Sequence, residues 1–214
     1  MTRPILLDLF CGAGGAGHGY WLAGFDVVGV DIAYQPTYPY EFIQGDWHKW
    51  LLNMAPGVDA IHASPPCQGY TTMNNRHASS SPRLIGDVRQ ALQATGLPYV
   101  IENVPGARRW MHPTLFLHGG QFGLPLWRPR LFETSVLIPS PPKMPRPRDA
   151  AAIYGANDQR RLLTRKDGTE LRAASLEQAR TAMQMPWADW DGLREAIPPA
   201  YTHHIGQHLH THIT

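Results

Sequence analysis

The residues of this 214-residue chain that could do chemistry fall in short clusters. The most distinctive is Ser64-Pro65-Pro66-Cys67-Gln68-Gly69-Tyr70. Two prolines stiffen the approach to one cysteine, and a rigidly displayed thiol suits nucleophilic catalysis. A buried, inert cysteine is the commoner fate of this residue type; the setting between Pro66 and Gln68 argues against it here. Glu102-Asn103-Val104 supplies an acid that could donate or accept a proton on a substrate ring, or simply pair with Arg108 or Arg109. Arg128-Pro129-Arg130 puts two guanidinium groups at alternate positions. In an extended segment these share a face and could grip a phosphate or a base oxygen; a plain surface pair is the bland reading.

A second set suits ligand binding. Asp8-Leu9-Phe10-Cys11-Gly12-Ala13-Gly14-Gly15 places glycines after an apolar run and before a helix-compatible stretch. Such a turn lets backbone approach a ligand closely, and helix N-terminal amides favour an anionic group. Asp31 ends the next apolar run about 20 residues on, where a carboxylate can hold ribose hydroxyls. Asp46 could accept from an adenine amino group or cap a helix. An intact dinucleotide fingerprint is missing, which favours an adenosyl ligand over a dinucleotide.

The elements that must position these residues alternate. Short apolar runs at residues 5–10, 27–30, 41–43, 58–62, 99–101, 114–117 and 131–138 read as strands. Residues 14–24, 47–54 and 82–95 read as helices. The pattern predicts an α/β fold with a mainly parallel sheet and helices on both faces. The chemistry-bearing residues follow five strands, and open α/β sheets bind ligands at strand carboxyl ends. Residues 139–148 form a proline-rich linker. Residues 162–172 suit a hairpin turning at Lys166-Asp167-Gly168. Residues 175–183, capped by Ser175, and 198–213, with proline in the first turn, read as helices.

Net charge is +2 but uneven: −1 over residues 1–127, +5 over 128–172 and −2 over 173–214. The basic block, with Arg146, Arg148, Arg160, Arg161, Arg165 and Lys166, suits phosphate contacts or is a solvated loop. Two cysteines exclude a disulfide framework. No apolar run reaches a membrane span, and the N-terminus lacks a signal-peptide pattern, so a cytoplasmic monomer without membrane contact is expected. His204, His208 and His212 share a helix face at metal-ligand spacing. The chemistry above needs no metal, and none is expected there.

Together these clusters resemble the cytosine-C5 DNA methyltransferase family. DLFCGAGG is similar to its first motif, SPPCQGY to its proline-cysteine motif, ENV to its glutamate motif and RPR to its paired arginines, in the family's order. The IPPAYTHHIGQHL ending resembles small phage-encoded members, and restriction-modification is the expected setting. The resemblance implies a Rossmann-like S-adenosyl-L-methionine-dependent fold, with S-adenosyl-L-homocysteine as product and double-stranded DNA as partner.

It also implies roles. Cys67 attacks C6 of a flipped cytosine, and Glu102 binds N3. Arg130 binds the cytosine carbonyl oxygen, and Arg128 orients the catalytic loop or a phosphate. Phe10, Cys11, Gly12, Gly14, Gly15, Asp31, Ile32, Asp46, Trp47 and Pro66 line the cofactor pocket, while Gln68 joins the basic block on nucleic acid. Residues 1–138 would be the catalytic core, 139–172 a reduced target-recognition segment and 173–214 helices returning to the core.

Three departures stand out. Leu126 replaces a usual glutamine, Arg194-Glu195 a usual Gly-Asn pair, and the recognition region is short. An RNA cytosine methyltransferase, a non-catalytic DNA-binding relative and an enzyme acting on free nucleotides stay open as alternatives.

Overall fold

A computed structural model describes residues 2–70, 83–148, 150–153, 162–164, 170–172 and 174–214. The strands are β1 (Ile5–Leu9), β2 (Asp26–Asp31), β3 (Glu41–Gln44), β4 (Ala60–Ala63), β5 (Tyr99–Asn103), β6 (Leu115–Leu117), β7 (Arg130–Thr134), β8 (Leu162–Thr164) and β9 (Glu170–Arg172). The helices are α1 (Gly15–Leu22), α2 (Trp47–Met54), α3 (Ile85–Thr95), α4 (Leu176–Met183), α5 (Trp190–Glu195) and α6 (Pro199–Ile213). The first seven strands make one sheet in the order β3-β2-β1-β4-β5-β7-β6. Pairings from β3 to β5 are parallel; β7 runs antiparallel to β5 and β6. The order reverses between β1 and β4, which opens a crevice at their carboxyl ends.

Both faces of the sheet are covered, as expected. Alternate strand residues point to opposite faces. Leu6, Val27, Ala60, Val100 and Phe132 pack with α1, α4, α5 and α6. Leu7, Leu9, Val28, Val30, Ile61, Ala63 and Ile101 pack with α2 and α3. This double burial explains why β1, β2 and β4 read as nearly continuous apolar runs.

Among the polar residues buried on the first face are Asp8, His62 and Glu102. Asp8 and His62 are registered partners. Continuing the register past Ala63 and Ile101 brings Ser64 beside Glu102.

Helices α1 and α6 cross in close contact. A Cβ on Gly19 would stand 2.0 Å from Thr202 Oγ1 and 2.2 Å from the Pro199 carbonyl, so only glycine permits this approach. Thr202 Oγ1 donates to the Ala16 carbonyl at 2.8 Å across the same contact.

The expected strands and helices are present with shifted ends; the run expected as strand at 131–138 is strand only to Thr134. Ser175 caps α4 in a reciprocal pair with Gln178. Strands β8 and β9 pair antiparallel as expected; their turn at 165–169 lies outside the described residues, as do Arg160, Arg161, Arg165 and Lys166. Helix α5, capped by Asp189, was not anticipated from the sequence. At six residues it is too short to show a helical repeat. Among the described residues, no helix is long and apolar enough to cross a membrane.

Candidate active site

The clusters lie along the carboxyl ends of β1, β2, β3, β4 and β5. After β1 the chain turns through Phe10 (φ 58°), Gly12 (φ 48°) and Gly14 (φ 83°), a left-handed run that glycine tolerates best. Gly12 has open space where a side chain would stand, whereas Gly14 is pressed against Tyr38 and Pro39. The turn is therefore rigid on one side and open on the other.

Asp31 spans it from β2. Its Oδ2 accepts from the Gly12 amide at 3.0 Å and its Oδ1 from the Ala33 amide at 2.9 Å. Each oxygen keeps a lone pair for a hydroxyl. Beside it Ile32 is 71% exposed, an apolar surface next to a hydrogen-bonding carboxylate. Asp46 caps α2, its Oδ1 accepting from His48 and Lys49, and its Oδ2 takes no part in those cap bonds. Trp47 packs on Phe10 with ring centroids 5.6 Å apart. Together with α3, Asp46 and Trp47 line a cleft of about 580 Å³.

Cys11 is buried in the turn. Burial, with Asp8 and Asp31 nearby, pushes its thiol far above the usual range. It is more deeply buried than Cys67.

The loop after β4 carries Cys67, half-buried beside exposed Gln68. Asn103 Nδ2 donates to the Pro65 carbonyl at 2.8 Å and fastens this loop to the end of β5. The Tyr70 amide bonds the Cys67 carbonyl at 2.9 Å. Burial and the nearby Glu102 charge raise the Cys67 pKa, Arg130 opposes them, and Glu195 adds to the rise. The resting side chain is a thiol.

Glu102 is buried with Arg130, whose Nε stands 2.8 Å from Oε1. That oxygen nevertheless accepts no aligned hydrogen bond among the described residues. Burial raises the Glu102 pKa; Arg130, the Ser64 hydroxyl and Arg128 draw it back. The site thus sets an acid with an unused acceptor beside a thiol and a cation.

The two arginines divide their work. Arg128, at φ 29° and buried, donates to the carbonyls of Ala196 and Arg194, while Tyr201 donates to the Arg128 carbonyl. Its guanidinium ties down the segment before α6. The expectation that both side chains share an extended face does not hold, because the positive φ at Arg128 breaks the extended alternation.

The model of C-5 cytosine-specific DNA methylases matches residues 5–116, more than half of the chain.

The chain belongs to that family.

Among curated relatives, Type II methyltransferase M.XorII of Xanthomonas oryzae pv. oryzae is 29% identical over 50% of this chain and 29% of its own length. Type II methyltransferase M.AgeI of Thalassovita gelatinovora is 34% identical over 33% of this chain and 20% of its own. The matched part therefore spans less than a third of these relatives. The Entamoeba histolytica methyltransferase EhMeth superposes over the full length of both chains with a TM-score of 0.63 at 12% identity, which shows a shared fold. S. pombe Dnmt2 methyltransferase gives 0.60 at 14% identity, over 97% of this chain and 98% of its own.

Several residues that build this site were missed in the sequence. Asn103 was visible only as part of ENV; its tie to Pro65 needs the fold. Trp187 Nε1 donates to the Ala13 carbonyl at 2.8 Å, holding the glycine turn from 174 residues away. Arg83 and Arg109 lie 4.7 and 4.3 Å from the Trp110 ring. Tyr70 packs on that ring at 5.0 Å, and Arg83 donates to the Gly69 carbonyl. With exposed Arg108 these residues form a basic collar beside the Cys67 loop. Basic charge therefore also flanks the Cys67 loop, outside the block expected at residues 128–172. Arg146 lies 5.8 Å from the Trp127 ring, and Arg148 is exposed. His204 bonds the Pro139 carbonyl at 2.8 Å and packs on His208, so that face of α6 fastens the linker.

Proposed function

We propose that the protein transfers a methyl group from S-adenosyl-L-methionine to C5 of a cytosine flipped out of double-stranded DNA. The observation that carries this reading is the meeting of Cys67, Glu102 and Arg130 at adjoining strand ends, with Glu102 Oε1 buried and lacking an aligned donor. The relatives named Type II methyltransferases support a modification role.

The open Gly12 turn, the spanning Asp31 carboxylate and exposed Ile32 fit an adenosyl group with a ribose diol. Phe10, Cys11, Gly14, Gly15, Asp46, Trp47 and Pro66 complete the proposed pocket. When bound, the cofactor supplies an electrophilic methyl group on a sulfonium.

The chain's own residues do the rest. Cytosine C5 is a poor nucleophile because the ring is conjugated. Attack of the Cys67 thiolate on C6 breaks that conjugation and makes C5 enamine-like. Protonated Glu102 donates to N3, where negative charge builds. Arg130 bonds the base carbonyl oxygen. After methyl transfer a base takes the C5 proton and Cys67 leaves by elimination. The resting thiol must lose its proton when substrate binds, and the Arg130 cation favours that loss.

Residues 139–172 provide base readout in this scheme. They are few, so a target of about two to four base pairs is expected, each good bidentate contact giving roughly 1–3 kcal/mol of discrimination.

The test is methyl transfer from labelled cofactor to defined duplex DNA and to tRNA, followed by sequencing for 5-methylcytosine. Label on cytosine C5 of duplex DNA supports the reading; label on tRNA alone overturns it in favour of an RNA enzyme.

A further inference from the structure

We propose that Arg83, Arg109 and the Trp110 ring form a seat for a backbone phosphate of duplex DNA, and that Arg83 links that seat to the Cys67 loop. The proposal rests on the methyl-transfer reading for its use. The seat itself rests on side-chain geometry.

The loop that carries the nucleophile is tightly held. The Tyr70 amide donates to the Cys67 carbonyl at 2.9 Å, so the place of Tyr70 sets the backbone of Cys67. Tyr70 is buried, with its ring centroid 5.0 Å from that of Trp110. Its hydroxyl accepts from the Ile85 amide, at the start of α3, at 3.2 Å. A Cβ on Gly106 would stand 2.4 Å from the Tyr70 carbonyl oxygen, so the chain after β5 presses on it as well. Trp110 is fixed in turn. Arg89 donates to the Trp110 carbonyl at 2.7 Å and to both oxygens of buried Glu133 at 2.5 and 2.8 Å. The indole is therefore a post joined to α3 and β7.

Two cations share this post. The Arg83 and Arg109 guanidinium carbons lie 4.7 and 4.3 Å from the Trp110 ring centroid. Each is drawn to the ring face and repelled by the other. Among the described residues neither forms an ion pair, and Asp87 in the first turn of α3 balances neither. An anion between them would relieve the repulsion. Arg83, Arg108 and Arg109 are all exposed, which describes an open track and not an enclosed pocket. A polyanion gains most on such a track, because each phosphate it places there releases counterions.

The two arginines differ in one contact. Arg83 Nε donates to the Gly69 carbonyl at 3.3 Å, inside the Cys67 loop. Its two Nη groups make no hydrogen bond among the described residues. A guanidinium is a planar fork, so one edge can hold the loop while the other holds a phosphate. Arg109 has no such bond to the loop among the described residues. Arg83 is thus a positioning residue for Cys67, and Arg109 contributes to affinity.

Two measurements test this. In the 5-fluorotryptophan-labelled protein, the fluorine resonance missing from Trp110→Phe identifies Trp110. Saturating a short duplex should move that resonance whether or not the protein methylates anything, and neutral methylphosphonate linkages should abolish the movement. A resonance that stays in place, or moves equally with the neutral backbone, overturns the seat.

Kinetics on duplex DNA test the link. Arg83→Ala should raise KM, reduce the salt slope by about 0.9, and lower kcat about ten- to a hundredfold, the scale of a misplaced reacting group. Arg109→Ala should act on KM far more than on kcat. Arg83→Lys keeps the charge but lacks the fork, so it should recover the salt slope while kcat stays low. Melting temperature identifies a variant that fails to fold; if Arg83→Ala does, Arg83→Lys decides. A wild-type kcat in Arg83→Ala overturns the link, and an unchanged KM and salt slope overturn the seat. If wild type transfers no methyl group to DNA, the functional reading fails, and the fluorine spectrum still decides the seat.

Discussion

Arg130 Nε stands 2.8 Å from Glu102 Oε1, and that oxygen still has no aligned hydrogen bond. The cation stabilises the buried carboxylate at contact distance. Both side chains are largely buried, so solvent screens the attraction weakly. Removing one member should cost about 3–5 kcal/mol of stability, because the other charge is left buried alone. Arg130→Ala should also lower kcat/KM on the order of 10²–10³-fold, as loss of a preorganised donor does elsewhere. Without Arg130 the Glu102 pKa rises further, so the basic limb of the activity profile should move up in pH. Urea unfolding and pH-resolved initial rates check both points.

Cys67 and Cys11 should separate cleanly. A duplex carrying 5-fluorocytosine at the target should trap the Cys67–C6 adduct, since fluorine at C5 cannot leave as a proton. We expect a denaturation-resistant protein–DNA band that requires the methyl donor, is lost in Cys67→Ser and persists in Cys11→Ser. Survival of the band in Cys67→Ser would show that the nucleophile is misassigned. In the free protein, alkylation should occur at Cys67 and accelerate with pH, because its thiol pKa is raised. Buried Cys11 should stay unmodified until the chain unfolds.

Asp31→Ala should weaken S-adenosyl-L-homocysteine binding by roughly 1.5–3 kcal/mol, the scale of charge-assisted hydrogen bonds. The carboxylate also anchors the Gly12 amide, so part of the loss reflects a loosened turn. Titration calorimetry giving unchanged affinity would remove Asp31 from the cofactor site.

Asp8 gives a pH-dependent stability. Burial raises its pKa from 3.8 to about 7, and Oδ1 has no hydrogen-bond partner among the described residues. Between those values the folded protein keeps a proton that the unfolded chain releases, so stability falls as pH rises and levels off above about 7. The change corresponds to on the order of 4 kcal/mol as an upper bound. Asp8→Asn should remove this contribution, leaving that of Glu102, of the same sign, and that of His62, held neutral by burial and of the opposite sign. Denaturant unfolding at pH 5 and pH 7.5, without cofactor, measures the difference. An unaltered slope in the variant would mean that Asp8 is ionised in the folded protein.

The collar around Trp110 should carry part of the DNA affinity. Each lost phosphate contact reduces the slope of log K against log salt by about 0.9 on duplex DNA. Neutralising Arg108 and Arg109 together should therefore lower both affinity and slope, and the same change at Arg160 and Arg161 tests the basic block. If only the second pair matters, the DNA does not pass the collar.

The sequence by itself determined most strands of the sheet and the glycine turn, and marked Cys67 as the candidate nucleophile. Strands buried on both faces must be apolar almost throughout, and glycine is nearly obligatory where backbone turns left-handed. These are local demands and leave local marks: ILLDLF, CGAGG and the prolines before Cys67. The Ser175 cap is local in the same way.

What only the tertiary structure decided are relations between residues far apart in the chain. Arg128 and Arg130 looked equivalent in RPR; a positive φ turned one toward the segment before α6 and left the other on Glu102. Asn103 holds Pro65, and Trp187 holds Ala13, across 38 and 174 residues. His62 read as one more residue of an apolar strand, and only the crossing of α1 over β4 gave it Tyr20 on one side and Ser64 on the other. A hydrogen bond between distant residues has no period and no spacing in sequence. It exists once packing has chosen which buried polar groups must satisfy one another.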